Sequence, residues 1–210
     1  MATIELCKDH GYVHRVKPGA QGKPIFFVLH GTGGDENQFF EFGSDLIPEA
    51  TIVSPRGDVS EYGAARFFKR TGEGVYDMAD LARATEKFAG FVSTLKAEHG
   101  ASEVIGLGFS NGANILANVL IEKGRLFDKA VLMHPLIPFQ PKDNPALKGV
   151  DVLVTAGRTD PIGPARVTQA LADYLAGQGA NVELYWHDGG HEIRRNEIEA
   201  VERFLKAART

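Results

Sequence analysis

A single cysteine, Cys7, in 210 residues excludes an internal disulfide and any zinc site built from several cysteines. A reducing compartment, the cytoplasm, is therefore the expected setting. A surplus of basic residues is missing too. With 23 Lys and Arg against 27 Asp and Glu, the net charge is −4, so nothing drives binding to nucleic acid or to an anionic membrane surface. No apolar run approaches the ~20 residues that span a bilayer. The opening stretch, residues 1–9, has neither the basic nor the apolar region of an export signal. Repeats, low-complexity tracts and linker-like stretches are absent. One domain over residues 1–210 is expected.

What is present is an ordinary globular composition, 43% hydrophobic and 24% charged, enough to bury a sizeable core. Short apolar runs bounded by Gly or Pro, at 25–29, 51–54, 103–107, 129–133 and 151–155, read as buried strands. Residues 181–186 alternate, as a half-buried or edge strand does. Between the runs lie stripes of period 3.6. Met78, Leu81, Thr85, Phe88, Val92 and Leu95 form one behind a capping Asp77. Others are Ala113–Ile121, Val167–Leu175 and Ile198–Leu205, and a shorter helix around Phe39, Phe42 and Leu46 is expected behind Asp35 as its cap. Such alternation predicts an α/β fold with a mainly parallel sheet, helices on both faces, and ligands at the carboxyl ends of the strands.

Four of those strand ends carry chemistry. After 103–107 comes Gly108-Phe109-Ser110-Asn111-Gly112, a G-x-S-x-G match that opens directly onto a helix. A serine on a sharp strand-to-helix turn projects its hydroxyl beside the positive end of the helix, and the flanking glycines let neighbouring chain pass close. A dinucleotide fingerprint fails here, because Asn111 stands where the third glycine belongs, and no P-loop motif occurs. Serine needs a base, itself oriented by an acid. Asp160 lies just past strand 151–155, and the chain order Ser, Asp, His then calls for a histidine after strand 181–186. His187 and His191 compete. His191 is preferred because the Asp188-Gly189-Gly190 turn carries it towards the serine, whereas His187 lies against the strand. His10, His14 and His99 lie far from any strand end, and His30 and His134 are expected to hydrogen-bond their own loops. No H-E-x-x-H occurs, and neither a metal nor a cofactor is expected. The glycine-rich His30-Gly31-Thr32-Gly33-Gly34 offers backbone N–H groups to an oxyanion, with a second donor from Asn111.

These segments, with Ser54-Pro55-Arg56-Gly57, Gly157-Arg158-Thr159-Asp160-Pro161 and Gly190-His191, resemble the phospholipase/carboxylesterase branch of the α/β-hydrolases, which includes acyl-protein thioesterases. Arg66-Phe67-Phe68-Lys69-Arg70 followed by Glu73-Gly74-Val75-Tyr76-Asp77 is similar to bacterial carboxylesterases of the hydroquinone-resistance type. The resemblance implies the α/β-hydrolase fold, a Ser110–Asp160–His191 triad and backbone donors at Thr32 and Asn111. It also implies cofactor-free hydrolysis of small-molecule esters, and often a homodimer. Two departures matter. Thr32 stands where acyl-protein thioesterases carry a bulky apolar residue, and Ser110 stands where dienelactone hydrolases carry cysteine.

The core elements consume nearly the whole chain, so no cap domain is expected. Segments 56–76 and 134–149 form the expected rims of an open cleft, with Phe67, Phe68, Leu136, Ile137 and Phe139 as its candidate lining. Arg56, Arg66, Lys69 and Arg70 make the first rim basic, as a solvated loop or a site for acidic substrates would be. The function expected is a serine carboxylesterase for small to medium esters. The alternatives are an acyl-thioesterase or lysophospholipase with the same triad, or a non-catalytic binding homologue.

Overall fold

The computed structural model describes residues 5–207. In chain order its elements are β1 (Glu5–Cys7), β2 (His14–Lys17), β3 (Ile25–Leu29), α1 (Phe40–Leu46), β4 (Thr51–Pro55), β5 (Val59–Glu61), β6 (Ala64–Arg66), β7 (Arg70–Gly72), β8 (Val75–Tyr76), α2 (Met78–Glu98), β9 (Val104–Phe109), α3 (Asn111–Lys123), β10 (Lys129–Met133), a 3₁₀ turn (Pro145–Leu147), β11 (Asp151–Gly157), α4 (Ala165–Gly177), β12 (Asn181–His187) and α5 (Arg195–Lys206).

Eight strands form one sheet in the order β1-β2-β4-β3-β9-β10-β11-β12. From β4 to β12 every pairing is parallel, while β1 and β2 add an antiparallel edge. Helices cover both faces, and the period-2 geometry of the strands divides the core between them. Ile25, Phe27 and Leu29 face the layer of α2, α3 and α4. Phe26 and Val28 face α1 and α5, where Phe40, Leu46, Val201 and Phe204 pack. Phe26, Phe27, Phe40, Phe67, Phe68, Phe88 and Phe127 are all less than 2% exposed, and each stabilises the fold by roughly 1.5–3 kcal/mol on burial. Strand order turns back at β3, which pairs with β4 on one side and β9 on the other. That switch point opens a crevice at the carboxyl ends.

The six predicted strands and the five predicted helices form at the expected places. The first helix, α1, starts at Phe40, and Asp35 does not cap it: its Oδ1 accepts from Asn37 N–H at 2.8 Å, closing a local turn instead. Asp77 does cap α2, accepting from Asp80 N–H. Segment 56–76 is not irregular but folds into two small hairpins, β5–β6 and β7–β8. Among the described residues no helix is long and apolar enough to cross a membrane.

Candidate active site

Strand β9 leaves the sheet at Phe109, and Ser110 makes the turn into α3 with φ +51° and ψ −114°. A non-glycine residue in this region costs about 1–3 kcal/mol and persists only where its surroundings fix it. Here Ser110 N–H donates to the Met133 carbonyl at the end of β10 (2.9 Å), and the Ser110 carbonyl accepts from Asn114 N–H (2.9 Å). The flanking glycines are required by close approach. A Cβ on Gly108 would stand 2.4 Å from the Gly112 carbonyl oxygen, and one on Gly112 would stand 2.5 Å from that of Leu29.

The turn brings Ser110 Oγ to 2.9 Å from His191 Nε2. On the far side of that ring, Nδ1 lies 2.7 Å from Asp160 Oδ2. An ionised carboxylate only accepts, so Nδ1 carries the proton and Nε2 is left to accept from the serine hydroxyl. Asp160 sits beyond β11 in a turn whose Ile162 and Gly163 N–H groups donate to its Oδ1 at 2.8 and 3.0 Å. Burial opposes its charge, yet the donors from His134, His191, Gly163 and Ile162 outweigh burial and hold its pKa well below the carboxylate range. Ser110 and His191 are half-buried and open to the cleft, while Asp160 is buried. His187, its competitor, is buried and has no contact with Ser110; its Nε2 faces His134 Nε2 at 3.3 Å.

His134 departs from expectation. It does not bond its own loop. Its Nδ1 donates to Asp160 Oδ2 at 3.0 Å, and its Nε2 faces Glu197 Oε1 at 3.2 Å, with all three side chains closed to solvent. Glu197 lies in the first turn of α5, where the helix dipole favours a negative charge. It accepts from Thr155 Oγ1 (2.6 Å) and Arg194 N–H (3.1 Å). Burial opposes charge on His134, but the two carboxylates prevail and push its pKa up to about 9. Glu197 is correspondingly held below its usual range, while burial pushes His187 down and keeps it neutral. His30 does bond its own loop, Nδ1 to the Gly31 carbonyl (2.7 Å), and its Nε2 accepts from Gly57 N–H (2.9 Å).

The glycine-rich loop after β3 is braced by the 56–76 hairpins. Gly33 N–H donates to the Ala65 carbonyl (3.0 Å), Arg66 Nη1 donates to Thr32 Oγ1 (2.6 Å), and Phe67 N–H donates to Asn111 Oδ1 (2.7 Å). The backbone N–H groups of Thr32 and Asn111 have no acceptor among the described residues. Beside them opens a cleft of about 270 Å³ lined by Thr32, Arg66, Tyr76, Ser110, Leu136 and His191, among others.

Of the five expected lining residues, only Leu136 reaches this cleft. Phe67 and Phe68 are fully buried in the core, Phe67 against His30 and Phe68 against Tyr76, in the connection between the β5–β6 and β7–β8 hairpins. Ile137 is likewise in the core, and Phe139 borders a separate hollow between α2 and α3. The basic rim is largely neutralised. Arg56 pairs with Glu36 at 2.5 Å, Arg70 with Glu61 and Glu73 at 2.9 and 2.7 Å, and Arg66 lies 3.6 Å from Glu61.

Two trios of ligand-type side chains adjoin the site, His134–Asp160–His191 and His134–His187–Glu197, each with donor atoms within 4.8 Å of one another. Their atoms are already engaged in the contacts above. Metal ligation by His187 Nε2 would put a proton on Nδ1, which is buried with no acceptor among the described residues.

The sequence reading missed Glu197 and Thr155. Glu197 stands four residues before Val201 and seven before Phe204, on the apolar face of α5. A carboxylate at a core position of an amphipathic helix was the available signal. The role of His134 had no such signal, because its φ of +52° and its reach to Asp160 are tertiary facts.

Comparison with known proteins gives consistent relatives. Residues 67–202 match the Dienelactone hydrolase family. Hydrolase MhqD of Bacillus subtilis (strain 168) is 36% identical over 186 residues, covering 88% of this chain and 93% of that protein. A protein of unknown function from Agrobacterium tumefaciens str. C58 is 63% identical, with a TM-score of 0.90 over 92% of this chain and 95% of that one. The Bacillus cereus carboxylesterase structure is 32% identical, with a TM-score of 0.87 over 94% of both chains.

Proposed function

Because the chain belongs to the dienelactone hydrolase family, within the α/β-hydrolase superfamily, we propose that it is a serine carboxylesterase that hydrolyses small to medium esters through an acyl-serine intermediate. The carrying observation is the single imidazole of His191, 2.9 Å from Ser110 Oγ on one side and 2.7 Å from Asp160 on the other. Family membership supports a hydrolase; the bond cleaved and the residues that cleave it are read from this geometry.

Ser110 Oγ attacks the ester carbonyl carbon while His191 Nε2 takes the hydroxyl proton. Asp160 holds Nδ1–H and balances the imidazolium that forms. The carbonyl oxygen becomes an oxyanion held by the N–H groups of Thr32 and Asn111, donors worth on the order of 3–4 kcal/mol each in comparable sites. Collapse expels the alkoxide, which leaves as the alcohol with the proton from His191. Water, deprotonated by the same imidazole, then releases the carboxylic acid and restores Ser110. No cofactor enters any step. Serine in place of the family's cysteine makes the His191 base indispensable, since a hydroxyl is not appreciably ionised at neutral pH.

The cleft of about 270 Å³ supports short acyl groups over long ones. The remaining expectations, a single-domain cytoplasmic enzyme that forms a homodimer, rest on cysteine usage and family resemblance. The reading is tested by hydrolysis of p-nitrophenyl esters from acetate to decanoate, with Ser110→Ala as control. Turnover that peaks at short chains and vanishes in the variant is expected. A peak at long chains, or activity on thioesters alone, would favour the thioesterase reading, and undiminished activity in Ser110→Ala would overturn the mechanism.

A further inference from the structure

Asp160 receives four hydrogen bonds: two from backbone N–H groups on Oδ1, and two from imidazoles, His191 and His134, on Oδ2. Only His191 touches the serine. The second imidazole is costly to keep. His134 and Glu197 are wholly buried, and His134 adopts a left-handed backbone conformation at the end of β10 to reach its place. Its N–H anchors to the Thr155 carbonyl at 2.8 Å, and its ring stands 5.2 Å from that of His191. Its Nδ1 faces Asp160 Oδ2, and its Nε2 faces Glu197 Oε1 at 3.2 Å and the neutral His187 Nε2 at 3.3 Å. Carboxylates only accept, so the two of them draw a proton onto each nitrogen and favour the imidazolium.

We propose that His134 is a positioning residue of the triad, a buried cation clamped between Asp160 and Glu197 that fixes which carboxylate oxygen faces His191 and restrains the basicity of that imidazole. The proposal rests on the Ser110–His191–Asp160 reading. An Asp160 oxygen already shared with a cation attracts the His191 proton less strongly than a free one does, so the base returns its proton readily to the leaving alkoxide. The other charges around His191 are spent on one another. Glu192 pairs with Arg194 at 2.7 Å, Arg158 with Asp188 at 3.5 Å, and across the cleft Arg70 pairs with Glu61 and Glu73. His187 on β12 is neutral, and Arg66 and Tyr76 face the cleft from its opposite wall. Among the described residues that leaves His134, Glu197 and Asp160 as the charges on the acid side of His191.

The variant that separates charge from hydrogen bonding is His134→Asn. Asparagine tolerates the left-handed backbone as histidine does, and its amide stands in for Nδ1–H while the charge is lost. The kcat/KM profile against pH on p-nitrophenyl acetate should keep its shape, with its acid limb moved up by about one pH unit and a several-fold loss on the plateau. His134→Leu, which also frees Asp160 to rotate, should lose at least a further tenfold in kcat with KM little changed. An acid limb that stays in place in folded His134→Asn would overturn the proposal. Should the variants not fold, histidine-labelled wild-type protein answers the same question: the ¹⁵N shifts of one buried ring should report both nitrogens protonated at pH 7.5. A neutral His134 ring at that pH would overturn it. The ring spectrum requires no turnover, so it also separates failure of this proposal from failure of the esterase reading.

Discussion

Raising the pH from 6.5 through 9 should weaken the fold through a single side chain. In the unfolded chain His134 titrates near ~6.5; in the fold, the carboxylates of Asp160 and Glu197 overcome burial and hold it at about 9. A folded pKa above the unfolded one means that the stabilisation is complete below pH ~6.5 and is lost as pH rises through the folded value. At about 1.4 kcal/mol per pKa unit, a gap of about 2.5 units is worth about 3 kcal/mol. The depressed pKa values of Asp160 and Glu197 are the other side of the same contacts and are not added to it. The assay is urea unfolding at unit steps from pH 6 to 10, comparing wild type with His134→Asn. Other groups that titrate in this window, such as Cys7, are common to both proteins and drop out of the difference. The wild type should lose its advantage over the variant progressively between pH 6.5 and 9. A difference that stays constant across that window would refute the reasoning, because it would mean that His134 carries no proton to lose.

Other perturbations act at separate points. Gly108→Ala places a Cβ 2.4 Å from the Gly112 carbonyl oxygen; it should cost about 1–3 kcal/mol in unfolding free energy and at least tenfold in kcat, and a variant of full activity would mean that the turn at Ser110 tolerates displacement. Arg66→Met keeps the apolar stem but loses the bonds to Thr32 Oγ1 and the Phe68 carbonyl. It should lower kcat/KM by about tenfold by loosening the oxyanion loop, and an unchanged value would remove Arg66 from its support. Asp160→Asn should lower kcat by about 10⁴ with KM little altered, because an amide donor facing His191 inverts its tautomer; a loss under tenfold would argue that another group orients the base.

The sheet was legible because apolar runs of four to six residues between glycines have few other uses, and the helices because their stripes hold period over three or more turns. The antiparallel edge was not. His14-Arg15-Val16-Lys17 carries one aliphatic residue, and its pairing is set by β4 rather than by its own pattern. The hairpins in segment 56–76 escaped for a related reason: strands of two or three residues give no periodicity to read. The positions of Ser110, Asp160 and His191 could be anticipated because chemistry at a parallel sheet gathers at strand ends, in a fixed chain order. The aromatic lining could not. Phe67 and Phe68 look alike in a loop or in a core, and only the link between the two hairpins sends them inward. His134 and Glu197 lie 63 residues apart and meet through the packing of α5 behind β10 and β11, a contact that no local pattern announces.

The central claim is that Ser110 is the nucleophile, activated by His191. Its most direct test is covalent capture: incubation with an alkyl fluorophosphonate, followed by intact-mass measurement and peptide mapping. One adduct per chain, located on Ser110, and its loss in His191→Gln are the predicted results. An adduct on any other residue, or rapid ester turnover with Ser110 left unlabelled, would contradict the account.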